Sequence, residues 1–226
     1  GAICKSALVH KHIYIGTHVK KCACVSDRDF TDLASDIQSL NEKTFAVLDE
    51  DCGNKMQEAI LVAASEGDSV GGILETAVIG VPEGVGEPWF DTMEGLLAHM
   101  LFSIPAVKGV EFGTGFAIAD LKGSAANDPL RIENGKIISS ANHSGGINGG
   151  ITNGMPILFR TAIKPTPTIF KPQDTVDFRS MTDTVLVPKG RHDPAIVHRA
   201  RIVQDAATAI VLCDVLSMRY GTDWLK

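Results

Sequence analysis

The chain has no apolar run as long as the ~18 residues a membrane span needs, so no membrane partner is expected. A basic stretch leading into an apolar one, the mark of a secretory leader, is also missing. Cysteine is sparse. Cys4, Cys22, Cys24, Cys52 and Cys213 are odd in number and too scattered for a disulfide framework. No His or Cys stands at finger spacing from Cys22 and Cys24, so no metal centre is expected. The cysteines read as buried or half-buried thiols in a reducing cytoplasm, with Cys22 and Cys24 on one face of a strand. There is no excess of positive charge either: the formal net charge of −6 argues against general nucleic-acid affinity. Neither G-x-G-x-x-G nor G-x-x-x-x-G-K-[ST] occurs in its strand–helix context, and no fixed-period repeat or low-complexity linker divides the chain.

What remains is a chain of 226 residues, 44% apolar and 21% charged, able to bury a core. Strand and helix patterns alternate irregularly, which predicts one mixed α/β body. Residues 1–9 read as the end of a helix, and Ile13–Val25 alternates as a strand. Asp51–Glu66 has helical spacing, with Met56, Ile60 and Ala63 on one face and Gly67 as the stop. A strand over 71–82 precedes a helix over 87–105 lined by Phe90, Met93, Leu97 and Met100. A strand over 107–123 turning near Gly113 and Gly115, a strand over 155–164, and a closing helix from Ala200 to Arg219 complete the pattern. The closing helix is expected to bury Ile202, Ala206, Ile210, Cys213 and Leu216.

Charge is uneven along the chain. Residues 1–159 carry 11 basic and 20 acidic groups, whereas 160–201 carry 8 basic and 4 acidic ones. A basic segment in an acidic protein suits a small anionic ligand; a solvated face of long side chains is the alternative. Beside it lies "NHSGGINGGITNGMPI" (142–157), with glycines at 145, 146, 149, 150 and 154. Interleaved isoleucines and an adjoining strand argue against a flexible linker. Backbone folded around a ligand, with N–H groups as anion donors, and packed bends between strands both remain open. "IKPTPTIF" (163–170) sets Lys164 and two threonine hydroxyls on a proline-stiffened backbone, as a phosphate or flavin contact or merely as an irregular edge. In "KGRHDPAIVHR" (189–199), Asp193 before Pro194 is either a helix cap or a carboxylate that relays a proton beside the anion-binding Arg191. His192 and His198 read as structural or surface residues rather than metal ligands.

Five blocks, "GVPEGVGEPWFD" (80–91), "SIPAVKGVEFGTGF" (103–116), "NHSGGINGGITNGMPI", "KPTPTI" (164–169) and "GRHDPA" (190–195), follow the order and approximate spacing of chorismate synthase, which this sequence resembles. The last block continues into Ala200 and Ile202-Val203, with Asp205 where the family usually has Glu, Ile202 for a frequent Pro, and Pro105 for Asn.

The resemblance implies a fold similar to a β-α-β sandwich, and a cytoplasmic, usually tetrameric lyase of aromatic amino-acid biosynthesis. That family converts 5-enolpyruvylshikimate 3-phosphate to chorismate by 1,4-elimination and requires reduced FMN. It implies flavin contacts at Pro105, Ala106, Gly149, Lys164, Pro165, Thr166, Pro167, Thr168 and Arg191, with Asp193 as the catalytic residue near the flavin N5. The family's Gly-x-Ser-His-Gly and Arg-x-Ser-Ala-Arg blocks and its two catalytic histidines do not occur in these residues. The resemblance therefore implies one chorismate synthase domain over 1–226, truncated before residue 1 and inactive by itself. A natural non-catalytic remnant, or half of a split enzyme serving oligomerisation, is the alternative.

Overall fold

The computed structural model describes residues 1–133 and 135–225. In chain order the elements are α1 (Ala2–His10), β1 (Tyr14–Cys22), β2 (Val25–Ser26), α2 (Leu33–Glu42), α3 (Glu50–Ser65), β3 (Gly72–Ile79), α4 (Met93–Phe102) and β4 (Val107–Phe112). There follow α5 (Gly123–Ala126), β5 (Leu130–Glu133), β6 (Lys136–Ser139), β7 (Ile147–Asn148), β8 (Ile151–Thr152), β9 (Ile157–Ile163), β10 (Gln173–Asp177), β11 (Thr182–Leu186) and α6 (Val197–Tyr220). The main sheet runs β2-β1-β3-β9-β4, with antiparallel pairing throughout, and three two-stranded hairpins stand beside it. The mixed α/β expectation holds.

Period-two alternation builds the sheet. Ile157, Phe159, Thr161 and Ile163 of β9 are buried, while the residues between them are at least partly exposed. On this face α6 packs against β1 and β3, with α4 and α1 packed against α6. Leu74, Leu97, Leu101, Phe159 and Leu212 share the resulting core.

The surface of α6 turned to the sheet is more polar than the sequence suggests. Asp205 accepts from Thr17 Oγ1 at 2.6 Å and pairs with Lys5 Nζ at 2.7 Å, and Gln204 Nε2 donates to Thr76 Oγ1 at 2.7 Å. Arg201 donates to the carbonyls of Thr17 (3.1 Å) and Leu40 (2.6 Å), and Asn41 donates to that of Ile15 (3.1 Å). Beyond the two-residue β2, these contacts satisfy the outer edge of β1, which would otherwise offer bare carbonyls to another chain.

The opposite face carries a ladder of charge in register. His18, Glu75, Arg160 and Glu111 are cross-strand neighbours on β1, β3, β9 and β4. His18 Nε2 lies 3.0 Å from Glu75, and its Nδ1 lies 2.7 Å from Asp27. Arg160 pairs with Glu111 at 2.7 Å and donates to the Gly113 carbonyl at 2.9 Å, which fixes the turn after β4.

Several sequence expectations are corrected. The helix expected over 87–105 opens only at Met93, because Thr92 Oγ1 accepts from Gly95 N at 2.9 Å and caps it there. Phe90 therefore lies outside the helix and is 92% exposed, whereas Met100 packs half-buried against the core and Leu101, not expected there, is fully buried. The strand over 107–123 stops at Phe112, and a 3-10 turn over Gly115–Asp120 replaces its end. In α6, Ile202 and Ile210 are exposed, and Arg201, Gln204, Asp205 and Thr208 are buried in their stead. Cys22 and Cys24 do not share a face: β1 ends at Cys22, Ala23 turns at φ 52°, and Cys24 is exposed.

Candidate functional site

The glycine stretch is mostly packed bend. A Cβ at Gly145 would sit 2.5 Å from Gly113 N and 2.7 Å from Leu158 O; one at Gly146 would meet Pro156 O at 2.5 Å, and one at Gly150 would meet Glu87 O at 2.6 Å. All three have positive φ, so they close on the protein's own backbone in a conformation that few other residues adopt. Asn142 staples the bend, accepting from Gly146 N at 2.7 Å and donating to Pro156 O at 2.8 Å. Asp128 accepts from the backbone N–H groups of His143 and Ser144. Gly149 differs. At φ 58° on the tip of the β7–β8 hairpin, a Cβ there would meet nothing within 4 Å.

At the other end of β9 the remaining residues draw together. Ala106, at φ 75° in the corner between α4 and β4, accepts from Lys164 N at 2.9 Å. Ser69 Oγ donates to the Thr166 carbonyl at 2.7 Å, which ties the proline-rich segment 164–168 to the segment before β3. Pro105, Lys164, Pro165, Pro167 and Thr168 are exposed, and the buried Thr166 hydroxyl has no hydrogen-bond partner among the described residues.

Next to this segment, Arg191, His192, Asp193, Pro194 and Arg199 line a depression of about 390 Å³. A second, of about 40 Å³, adds Thr168, Phe170 and Asp68 to His192 and Asp193. The loop is pinned by Val70 N donating to Pro194 O at 2.8 Å, and His192 rests on the Phe170 ring at 5.0 Å. Asp193 caps nothing, since α6 starts at Val197 without a side-chain cap. Instead Arg199 Nη1 lies 2.7 Å from Asp193 Oδ2. Burial lowers the His198 pKa, with Asp193 opposing and Arg199 assisting, so this ring is neutral near pH 7.

Thus Ala106 bonds Lys164, and Thr168 shares a small depression with Asp193, with Arg191 lining the larger one beside it. Gly149 does not join them: the seven residues of β9 separate the two ends by roughly 20 Å. Arg199 and Phe170 were not singled out from sequence. In the sequence Arg199 is one more basic residue of the 160–201 segment, although its spacing of six from Asp193 bridges the start of a helix. Among the described residues, no three His, Cys, Asp or Glu side chains come together as a metal site.

A half-buried antiparallel sheet, backed by a long helix whose entry loop carries an Arg–Asp–Arg depression, defines the class as a mixed α/β protein with an anion-compatible cleft. The family model "Chorismate synthase" matches residues 1–217, and the chain belongs to that family. A chorismate synthase of Pyrococcus abyssi is 45% identical over 219 residues, covering 97% of this chain and 60% of that protein. One of Aeropyrum pernix is 41% identical over 229 residues, covering 100% and 60%. A crystal structure of chorismate synthase superposes with a TM-score of 0.80 at 30% identity, covering 98% of this chain and 62% of the other. The chain thus spans about three fifths of the length of these relatives.

Proposed function

We propose that these residues form the flavin- and phosphate-facing part of a chorismate synthase, and that the whole protein eliminates phosphate from 5-enolpyruvylshikimate 3-phosphate to give chorismate. The observation that carries this reading is the convergence of Arg191, Asp193 and Arg199 on one depression beside the Lys164–Thr168 segment. Two arginines around a carboxylate can attract an anionic ligand and still leave an oriented acceptor for a proton.

FMN fits this donor set. Lys164 and Arg191 offer exposed cations, Thr166 a buried hydroxyl without a partner among the described residues, and Ala106 a backbone corner with positive φ. These residues, with Pro105, Pro165, Pro167 and Thr168, would hold the cofactor. Bound reduced FMN supplies the electron-rich surface on which the family's elimination depends. Asp193, steered by Arg199, would hold or relay a proton beside it. Gly149 would be reached only by a group spanning the length of β9, or would belong to a neighbouring copy.

Assembly into a homo-oligomer, with a tetramer as the family precedent, is supported by apolar side chains left exposed on two hairpins: Leu130, Ile132 and Ile137 on β5–β6, and Val176, Phe178 and Met181 on β10–β11. A cytoplasmic home accords with the free thiols, and among the described residues no helix is long and apolar enough to cross a membrane.

The cofactor reading is tested by titrating FMN into these 226 residues and following quenching of flavin fluorescence. Weak but saturable binding is expected, reduced at least tenfold by Arg191→Ala and by Lys164→Ala, since charge-assisted contacts contribute ~1.5–3 kcal/mol each. Binding unchanged by both substitutions would remove the cluster as the flavin site.

A further inference from the structure

Two thiols distant in sequence lie together on α1 and α6. Cys213 Sγ donates to the carbonyl of Cys4 at 3.7 Å across a separation of 209 residues. The two helices are pressed close: a Cβ built on Gly1 would fall 2.2 Å from the Cβ of Ala206, and Lys5 bridges to Asp205 at 2.7 Å. Both cysteines are half-buried rather than sealed. Cys213 also lines a groove of about 410 Å³ between α4 and α6, with Leu96, His99, Asp214 and Ser217, through which a small molecule can reach it. The other cysteines sit elsewhere: Cys22 at the buried end of β1, Cys24 in the turn after it, Cys52 on α3.

We propose that Cys4 and Cys213 are a reversible disulfide site that pins α1 to α6. The 3.7 Å contact from the Cys213 sulfur to the Cys4 backbone, between helices packed this closely, sets the two side chains beside each other, and a disulfide needs their Cβ atoms about 4 Å apart. The co-reactant is a low-molecular-weight disulfide. One protein thiolate attacks a sulfur of that disulfide and releases a first small thiol, leaving a mixed disulfide on the protein. The second protein thiolate then attacks the protein sulfur and releases a second small thiol. The two protein thiols give up two electrons to the small disulfide, and their two protons leave with the released thiols. Burial, then the neighbouring Cys4, pushes the Cys213 thiol up to about 11, so the exchange is slow near neutrality and quickens as pH rises. The bond would close almost the whole chain into one loop, which restricts the unfolded state more than a short loop does. This inference is independent of the flavin reading, because neither cysteine lines the Arg191–Asp193 depression.

The test is incubation of the protein with oxidised glutathione at about pH 8.5, quenching with iodoacetamide and digestion without reduction. The expected product is a linked peptide pair containing Cys4 and Cys213, about two mass units lighter than the reduced peptides together. It should vanish in Cys4→Ser and in Cys213→Ser and persist in Cys24→Ser. The oxidised protein should also melt several degrees higher, reversibly with dithiothreitol. Recovery of Cys4 and Cys213 as separate alkylated or glutathionylated peptides, while Cys24 is oxidised, would overturn the site. A linked pair with no rise in melting temperature would overturn the pinning of the helices.

Discussion

The guanidinium of Arg199 lies 2.7 Å from the carboxylate of Asp193, reaching back from the first turn of α6 to the loop that precedes it. Arg199 is largely exposed and the Asp193 side chain less so, so the pair orients the carboxylate more than it stabilises the fold. In the full-length protein Asp193→Asn should retain FMN and slow turnover by ~10²–10⁴-fold, the usual worth of one general acid–base group. Arg199→Met should lower turnover less and leave the melting temperature nearly unchanged. Single-turnover rates and flavin titration of the same samples decide it; loss of flavin binding in Asp193→Asn would assign that residue to binding instead.

Two glycines of one stretch should respond oppositely to the same substitution. Gly145→Ala must push a Cβ into the backbone of Gly113 and Leu158 and should yield insoluble or severely destabilised protein. Gly149→Ala meets open space and carries only the left-handed backbone cost of about 1 kcal/mol, so it should fold. Urea midpoints of both variants check this, and equal losses would mean that the bend is not packed as described.

His18 makes stability depend on pH. Burial alone would lower its pKa, but hydrogen bonds to Asp27 and Glu75 and the charges of both carboxylates outweigh it and raise the imidazole above its usual 6.5. Its contribution is then complete below pH 6.5 and is lost as pH rises through the raised value. Asp27 works the other way. Burial opposes ionisation, but His18 and the backbone N–H groups of Leu48 and Asp49 hold its pKa below 3.8, so its contribution is lost only as pH falls through that lowered value. Urea unfolding between about pH 6 and 8.5 should show wild type weakening with a slope of at most ~1.4 kcal/mol per pH unit, and His18→Asn nearly flat. A wild type that strengthens over that window would contradict a charged His18.

The apolar alternation of β9 and the helical spacing of α3 were legible in the sequence, because one face of each is plainly apolar. The buried face of α6 was not. Arg201, Gln204 and Asp205 look like a solvent face until Thr17, Thr76 and Leu40, far away in the chain, supply their partners, while Thr208 donates back to the Gln204 carbonyl of its own helix. The signal for α2 is present, since Leu33, Ile37 and Leu40 stand at helical spacing behind the Asp32 cap, whereas the β10–β11 hairpin is exposed along both strands and offers none. Local motifs gave Lys164, Thr168, Arg191 and Asp193 as site candidates. The grouping of Thr168 with Asp193, the pairing of Asp193 with Arg199 and the distance of Gly149 needed the fold, because they depend on which end of β9 each residue occupies.

We propose that the cluster from Ala106 to Asp193 serves a chorismate-forming elimination in the whole protein. It is tested most directly by an anaerobic assay with reduced FMN and 5-enolpyruvylshikimate 3-phosphate, following chorismate formation. The full-length protein should form chorismate, and these 226 residues alone should form none, because the family's histidine-bearing blocks do not occur among them. Chorismate produced by these residues alone at the full-length rate, or none from the full-length protein, would rule out that role for the cluster.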